Sequence, residues 1–354
     1  MSGYKISRIV AISIAITIGA FISGCSHHEN RENNTAIKIS VSNAENLVKA
    51  AKEISGLTLT DSLGEHFPGD LSKVVYSGDS IIVLDTWKDP GVYVYDGEGM
   101  LVGAYAKRGN GPEEYDDIFD MWVTPNTISL LVNFPNSQII TLDRNLNFVN
   151  KRDAEPQSQH FAMGYDGTLF DRGNNAYGGS DEKLIYVSSS GKREGKLSIA
   201  PEIENLTFTS QNVFGGIDGD TVIYLPPLEP RLYFFAGGRG ELACELDFGS
   251  AWPDFSVHTD RVNLMDVMQQ IVSDGKIYST NLIADGRNIA VTFFKDNDYY
   301  IVLMDKNEMS TPRVLRLPDE MHEGIGDLVA IRDGKLVFGT PGQLLTVLLK
   351  PVQE

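Results

Sequence analysis

From residue 57 to the end of the chain, short apolar runs come in pairs separated by tight polar turns. Val74, Val75 and Tyr76 precede Ser77-Gly78-Asp79, and residues 81–83 follow as Ile-Ile-Val. The pattern recurs six times, with Gly78, Pro125, Asp166, Asp218, Asp285 and Asp333 marking the turns at intervals of 41 to 67 residues. Asp-Gly and Pro-Asn supply turn conformations that β-branched residues resist. Each pair is followed by a third apolar run, at residues 92–95, 139–142, 184–187, 232–235, 300–303 and 344–347. A fourth follows in five cases, for example at 101–105 and 313–317. Four antiparallel strands in ~40–50 residues make one propeller blade.

The sixth set ends without its outer strand, and an unpaired run at residues 57–60 precedes the first. Joining the two closes the ring and removes two exposed sheet edges. The expected fold is therefore all-β: a six-bladed β-propeller of four-stranded antiparallel blades over residues 37–354, closed by an N-terminal strand. Two stretches read as short helices. Residues 44–54 place Ala44, Leu47, Val48, Ala51 and Ile54 at helical spacing, and residues 260–273 place Val262, Met265, Met268 and Ile271 so, with Asp260 as cap.

The first 25 residues read as an address. Lys5 and Arg8 precede 14 largely apolar residues at 9–22, too few to cross ~30 Å of hydrocarbon and the right length for a signal peptide. The run ends in Ile22-Ser23-Gly24-Cys25, which resembles a bacterial lipobox. Residues 1–24 are then the signal peptide, Cys25 the acylated N-terminus, and residues 25–36 a polar, flexible tether. The expected location is the cell envelope, lipid-anchored, at the outer membrane.

Composition narrows the partners. Lys and Arg number 30 against 48 Asp and Glu, for a net charge of −18. Cleavage after Gly24 would make it −20. Phosphate binding runs on Lys and Arg, so nucleic acid is not an expected partner. With Cys25 blocked, Cys244 stands alone and no internal disulfide can form; its strand-like setting reads as an inert thiol.

The loop Gly109-Asn110-Gly111-Pro112-Glu113-Glu114-Tyr115, together with the lipobox and the six repeats, resembles the six-bladed propeller lipoproteins of the Bacteroidota, a TolB-like and NHL-like group. The resemblance implies an envelope location and a propeller, and no settled activity. Read from its residues, the loop does not bind phosphate: Pro112 removes an N–H and two glutamates repel the anion. Tyr115 is expected to bury its ring between blades with its hydroxyl bonded.

Propeller topology puts the second-to-third and blade-to-blade loops on one face, and here they are the longer ones. They carry Trp87, Arg108, Phe134, Arg172, Tyr177, Trp252 and His258, with Arg231 and Phe255 nearby, as candidate binding residues. Counting back from the turns places Asp120, His160, Asn212 and Asp327 at the channel mouth, with Ser72 or Lys73 and Ser279 or Thr280 beside them. Such a ring can hold a cation or a polar ligand, in a channel expected to be polar and wet. No G-x-S-x-G, H-E-x-x-H or Cys–His pair occurs. The reading is a non-enzymatic envelope protein, without cofactor unless a channel cation, that binds a glycan, peptide or protein. The alternative is a metal-dependent hydrolase or lactonase of the six-bladed type.

Overall fold

A computed structural model describes residues 36–61, 69–176, 179–206, 210–216, 220–258 and 264–352. Cys25, Tyr177 and the helix cap Asp260 lie outside them. Six antiparallel sheets stand around an axis, each ordered from an inner to an outer strand. The inner strands are Lys73–Ser77, Ile118–Val123, His160–Met163, Phe214–Gly216, Tyr278–Ala284 and Asp327–Arg332. The hairpins are tight where the sequence places Asp-Gly. Asp333 and Gly334 both take positive φ, 51° and 73°, which matches the twist of the strands they join.

The core is distributed between blades. Ile82, Val92 and Tyr105 of the first blade pack on Met121, Leu130 and Ile140 of the second. Each fully buried side chain of this kind contributes roughly 1.5–3 kcal/mol, so every blade face depends on its neighbour. Cys244 is one of these packed residues, 2% exposed, and burial pushes its thiol up to about 12. No thiolate is available there, as its setting in sequence suggests.

The ring closes through the N-terminal side. Strand Ala51–Thr58 pairs antiparallel with Gln343–Leu349 and becomes the outer strand of the sixth blade. The closure is as expected, but the strand lies further upstream than residues 57–60. It takes residues 51–54 from the helix read over 44–54. Only Leu47–Ala50 is helical, a single turn whose Leu47 and Ala50 are buried, with Asn46 capping the Lys49 N–H at 3.1 Å. Pairing with the last blade overrides the helical spacing beyond Ala50. Before that turn, Ala36–Lys38 lies parallel on the fourth blade's outer strand, and Glu45–Asn46 on the fifth's. One segment thus covers the outer edges of three successive blades. The inserted helix spans Leu264–Ser273, and its buried Val267 and Ile271 join Ile199, Ile203 and Phe255.

Candidate functional site

The loop of residues 109–115 is architectural. Tyr115 is fully buried between the first two blades, and its hydroxyl donates to the Pro90 carbonyl at 2.6 Å. Its ring centroid is 6.2 Å from that of Tyr105, whose hydroxyl donates to the Glu113 carbonyl. Gly109 sits at φ 150°, where an added Cβ would fall on the Glu114 carboxylate, which itself accepts the Gly111 N–H at 2.8 Å. The loop is a blade joint clamped from both ends.

Beside this joint, on the long-loop face, opens a cavity of about 890 Å3 over the channel mouth. Its floor holds a charged pair. Lys73, the first residue of its inner strand, donates to Asp120 Oδ1 at 2.8 Å, with side chains 12% and 2% exposed. Asp120 also accepts the N–H groups of Met121 and Phe161, at 2.7 and 3.1 Å. Burial would raise its pKa, but the Lys73 ammonium and the nearby His160 outweigh burial and hold it below the usual carboxylate range. His160 Nδ1 lies 3.8 Å from Asp120 Oδ2, buried and without a hydrogen-bond partner. Behind it, Asp171 is pushed up by burial despite His160, the Lys183 ammonium and a 2.5 Å hydrogen bond from the Tyr224 hydroxyl.

The rim is aromatic. Trp87 is 82% exposed. Its loop is fixed by Asp85, fully buried, whose carboxylate accepts four backbone N–H groups: Gly69 and Asp70 on one oxygen, Trp87 and Lys88 on the other, at 2.7 to 3.1 Å. Ser72 links into the same base by a hydroxyl contact with Thr86 at 2.9 Å. Phe134 stands on the other side, half-buried, its ring centroid 5.9 Å from that of Phe119.

Of the residues expected from sequence, Trp87, Phe134, Asp120 and His160 meet in this one cavity. Asn212 lines the narrower channel space instead and donates to the Ser72 carbonyl at 3.4 Å. Others are elsewhere. Arg172 is buried and bonded to Gln157 at 2.9 Å. Arg108 is exposed, its Nε donating to the Asp116 carbonyl at 3.3 Å. Trp252 stacks on Phe248 with centroids 5.5 Å apart and packs with two core clusters. His258 falls in the short turn Phe255–His258, and Arg231 flanks Glu229 and Glu245. Asp327 pairs with His322 at 2.9 Å, apart from the Asp120 group. Asp85, Phe119 and Ser72's link to Thr86 were not legible as site elements. An Asp two residues before a loop aromatic is the sequence signal available for the first.

Below the floor the channel is lined by apolar side chains together with Lys73 and Asn212. It narrows to a void of about 220 Å3 bordered by Val75, Met121, Trp122, Phe214 and Ile283. Lys73 borders both this section and the cavity above it, its ammonium 5.7 Å from the Trp122 ring centroid. Among the described residues, no three His, Cys, Asp or Glu side chains gather closely enough to hold a metal ion.

Six four-stranded blades with a deep cavity on one face define a six-bladed β-propeller. The chain belongs to the DUF4934 family, a domain of unknown function, which matches residues 65–337. In fold it is similar to a protein of Bacteroides fragilis described as exported, at 16% identity and TM-score 0.71, over 89% of this chain and 100% of that one. It also matches BamB of Moraxella catarrhalis at 14% identity and TM-score 0.36, over 79% and 70% of the two chains, a likeness too low to carry anything further. No curated protein matches the sequence.

Proposed function

We propose that this protein is an envelope-anchored lipoprotein whose propeller is a non-enzymatic binding scaffold, with its glycan, peptide or protein partner seated on the long-loop face. The observation that carries this reading is the 890 Å3 cavity, with Trp87 exposed at its rim and the Lys73–Asp120 pair across its floor. Lys73 and Asp120 already engage each other, and a stiff exposed indole offers contact area at small entropy cost. The lipobox at residues 22–25 supports acylation of Cys25 and an outer-membrane location, and the similar exported protein of Bacteroides fragilis agrees with an envelope address. The lipobox and the loop at residues 109–115 together favour the TolB-like or NHL-like propeller lipoproteins of the Bacteroidota.

The test is retention of envelope extract and of an immobilised glycan set by the protein and by its Trp87→Ala variant. Retention that falls with Trp87→Ala at an unchanged Tm is the expected result. Retention indifferent to Trp87, or hydrolysis that tracks added divalent metal, would reject it.

A further inference from the structure

We propose that the ligand of this face is a neutral oligosaccharide and that it lies across Phe134, occupying two subsites. This rests on the binding reading above and narrows it to one chemistry. Phe134 borders the cavity over the channel and also a second one, of about 640 Å3, on the outer side of the second blade. Both volumes fall in the ~300–1,000 Å3 range of ordinary ligand clefts. Phe119 supports the Phe134 ring, so the ridge between them is firm.

The walls of both cavities are rich in amides and hydroxyls. Asn110, Asn133, Asn136, Ser137 and Gln138 border the outer one. Thr86, Gln159, Asn175, Ser210 and Gln211 border the inner one. Such groups donate and accept, as sugar hydroxyls do, and each can serve either role. Trp87 and Phe134 offer flat apolar surface to the C–H faces of a sugar ring.

Charge selects against acidic ligands. The inner cavity has Asp70, Asp117 and Asp120 against Lys73, which Asp120 already engages. The outer has Asp116 and Asp153 against Lys151, whose ammonium donates to the Glu114 carbonyl at 2.6 Å. Carboxylates outnumber cations in both, so a uronic acid or sulfated sugar meets net repulsion. A peptide that binds by adding a strand needs an open strand edge, and these walls are largely loop side chains.

The experiment is a panel of neutral and acidic oligosaccharides of increasing length, with unstructured peptides alongside, on the protein and its Trp87→Ala, Phe134→Ala and Asn136→Ala variants, each checked for unchanged Tm. Affinity should rise with the length of the neutral chain. Phe134→Ala should weaken long chains by about tenfold or more. Asn136→Ala, confined to the outer cavity, should weaken long chains and spare short ones. Binding of acidic sugars as tight as neutral ones, affinity independent of length, or no neutral oligosaccharide above background would overturn the inference. Peptide capture lost on Trp87→Ala would do the same while leaving this face a binding site. Capture indifferent to both aromatic substitutions would remove the binding reading as well.

Discussion

The buried carboxylate of Asp85 accepts the backbone N–H of Trp87 at 2.8 Å, so an indole that is 82% exposed stands on a fixed base. A ring on a free loop would lose rotational and backbone freedom on binding; here the backbone part is already settled. Asp85→Ala strands four N–H groups that now share one carboxylate, each worth about 1–3 kcal/mol if left unsatisfied. A loss of at least about 3 kcal/mol in chemical denaturation is expected, with a smaller loss for Asp85→Asn, which keeps one accepting oxygen. Equal stability of Asp85→Ala and wild type would show that the carboxylate does not hold the loop.

The Lys73–Asp120 pair should give stability a defined acid limb. The folded pKa of Asp120 lies below its ordinary 3.8. A depressed folded pKa contributes stability that is fully present above the unfolded value and is lost as pH falls through the folded one. Denaturation midpoints of wild type should therefore lose this contribution below about pH 4, and Asp120→Asn should lack that part of the slope. Asp120→Ala leaves Lys73 unpaired in a nearly buried position and should cost about 3–5 kcal/mol. Parallel pH profiles for wild type and Asp120→Asn would contradict the assignment.

Tyr115 separates packing from hydrogen bonding at the first blade joint. Tyr115→Phe keeps the ring and removes the bond to Pro90, for a loss of about 1–2 kcal/mol. Tyr115→Ala opens a cavity between blades and should cost about 3–5 kcal/mol. Thermal melts of the two variants check the order, and a Phe variant as damaged as the Ala variant would place the energy in the hydroxyl instead.

Two tryptophans of the same loop face should behave oppositely. Trp252→Ala removes a ring stacked on Phe248 and should lower stability by about 3–5 kcal/mol. Trp87→Ala removes an exposed ring and should move stability by no more than about 0.5 kcal/mol. Capture assays on the same preparations should show loss for Trp87 and retained capacity for the folded fraction of Trp252→Ala. A destabilised Trp87→Ala would mean that its ring packs rather than binds.

Cys25→Ser is expected to abolish acylation. The protein should move from the membrane to the soluble fraction, or accumulate as precursor, and its mass should lack the lipid. Unchanged partition and mass would end the lipoprotein reading.

The propeller was legible in the sequence because each blade repeats the same local rule, period-two apolar runs around an Asp-Gly or Pro-Asn turn. The belt was not. Ala36–Lys38 and Glu45–Asn46 have three and two residues, and what makes them strands is the free edge of a blade some 200 to 270 positions away. Leu47 and Ala50 do share a helical face, but only for one turn. At the site, loop position was enough to bring Trp87 and Phe134 together. It could not distinguish them from Trp252, because a lone loop aromatic has no periodicity to say which way it faces. Asp120 and His160 were found by counting from the turns. Asp327, reached by the same count, instead pairs with His322.

Closure by residues 51–58 against residues 343–349 also fixes an order of events. The ribosome makes the first of these strands roughly 290 residues before its partner. No ladder can join them until the five intervening blades have been made, so the nascent protein carries two raw β-edges in the meantime. Contacts so far apart in sequence are slow to find, and this one turns a row of blades into a circle in which no sheet can leave without breaking both of its neighbours' packing. A product that stops one strand short is thereby an open chain with a sticky end at each side, the form most open to proteolysis and to pairing with another copy of itself.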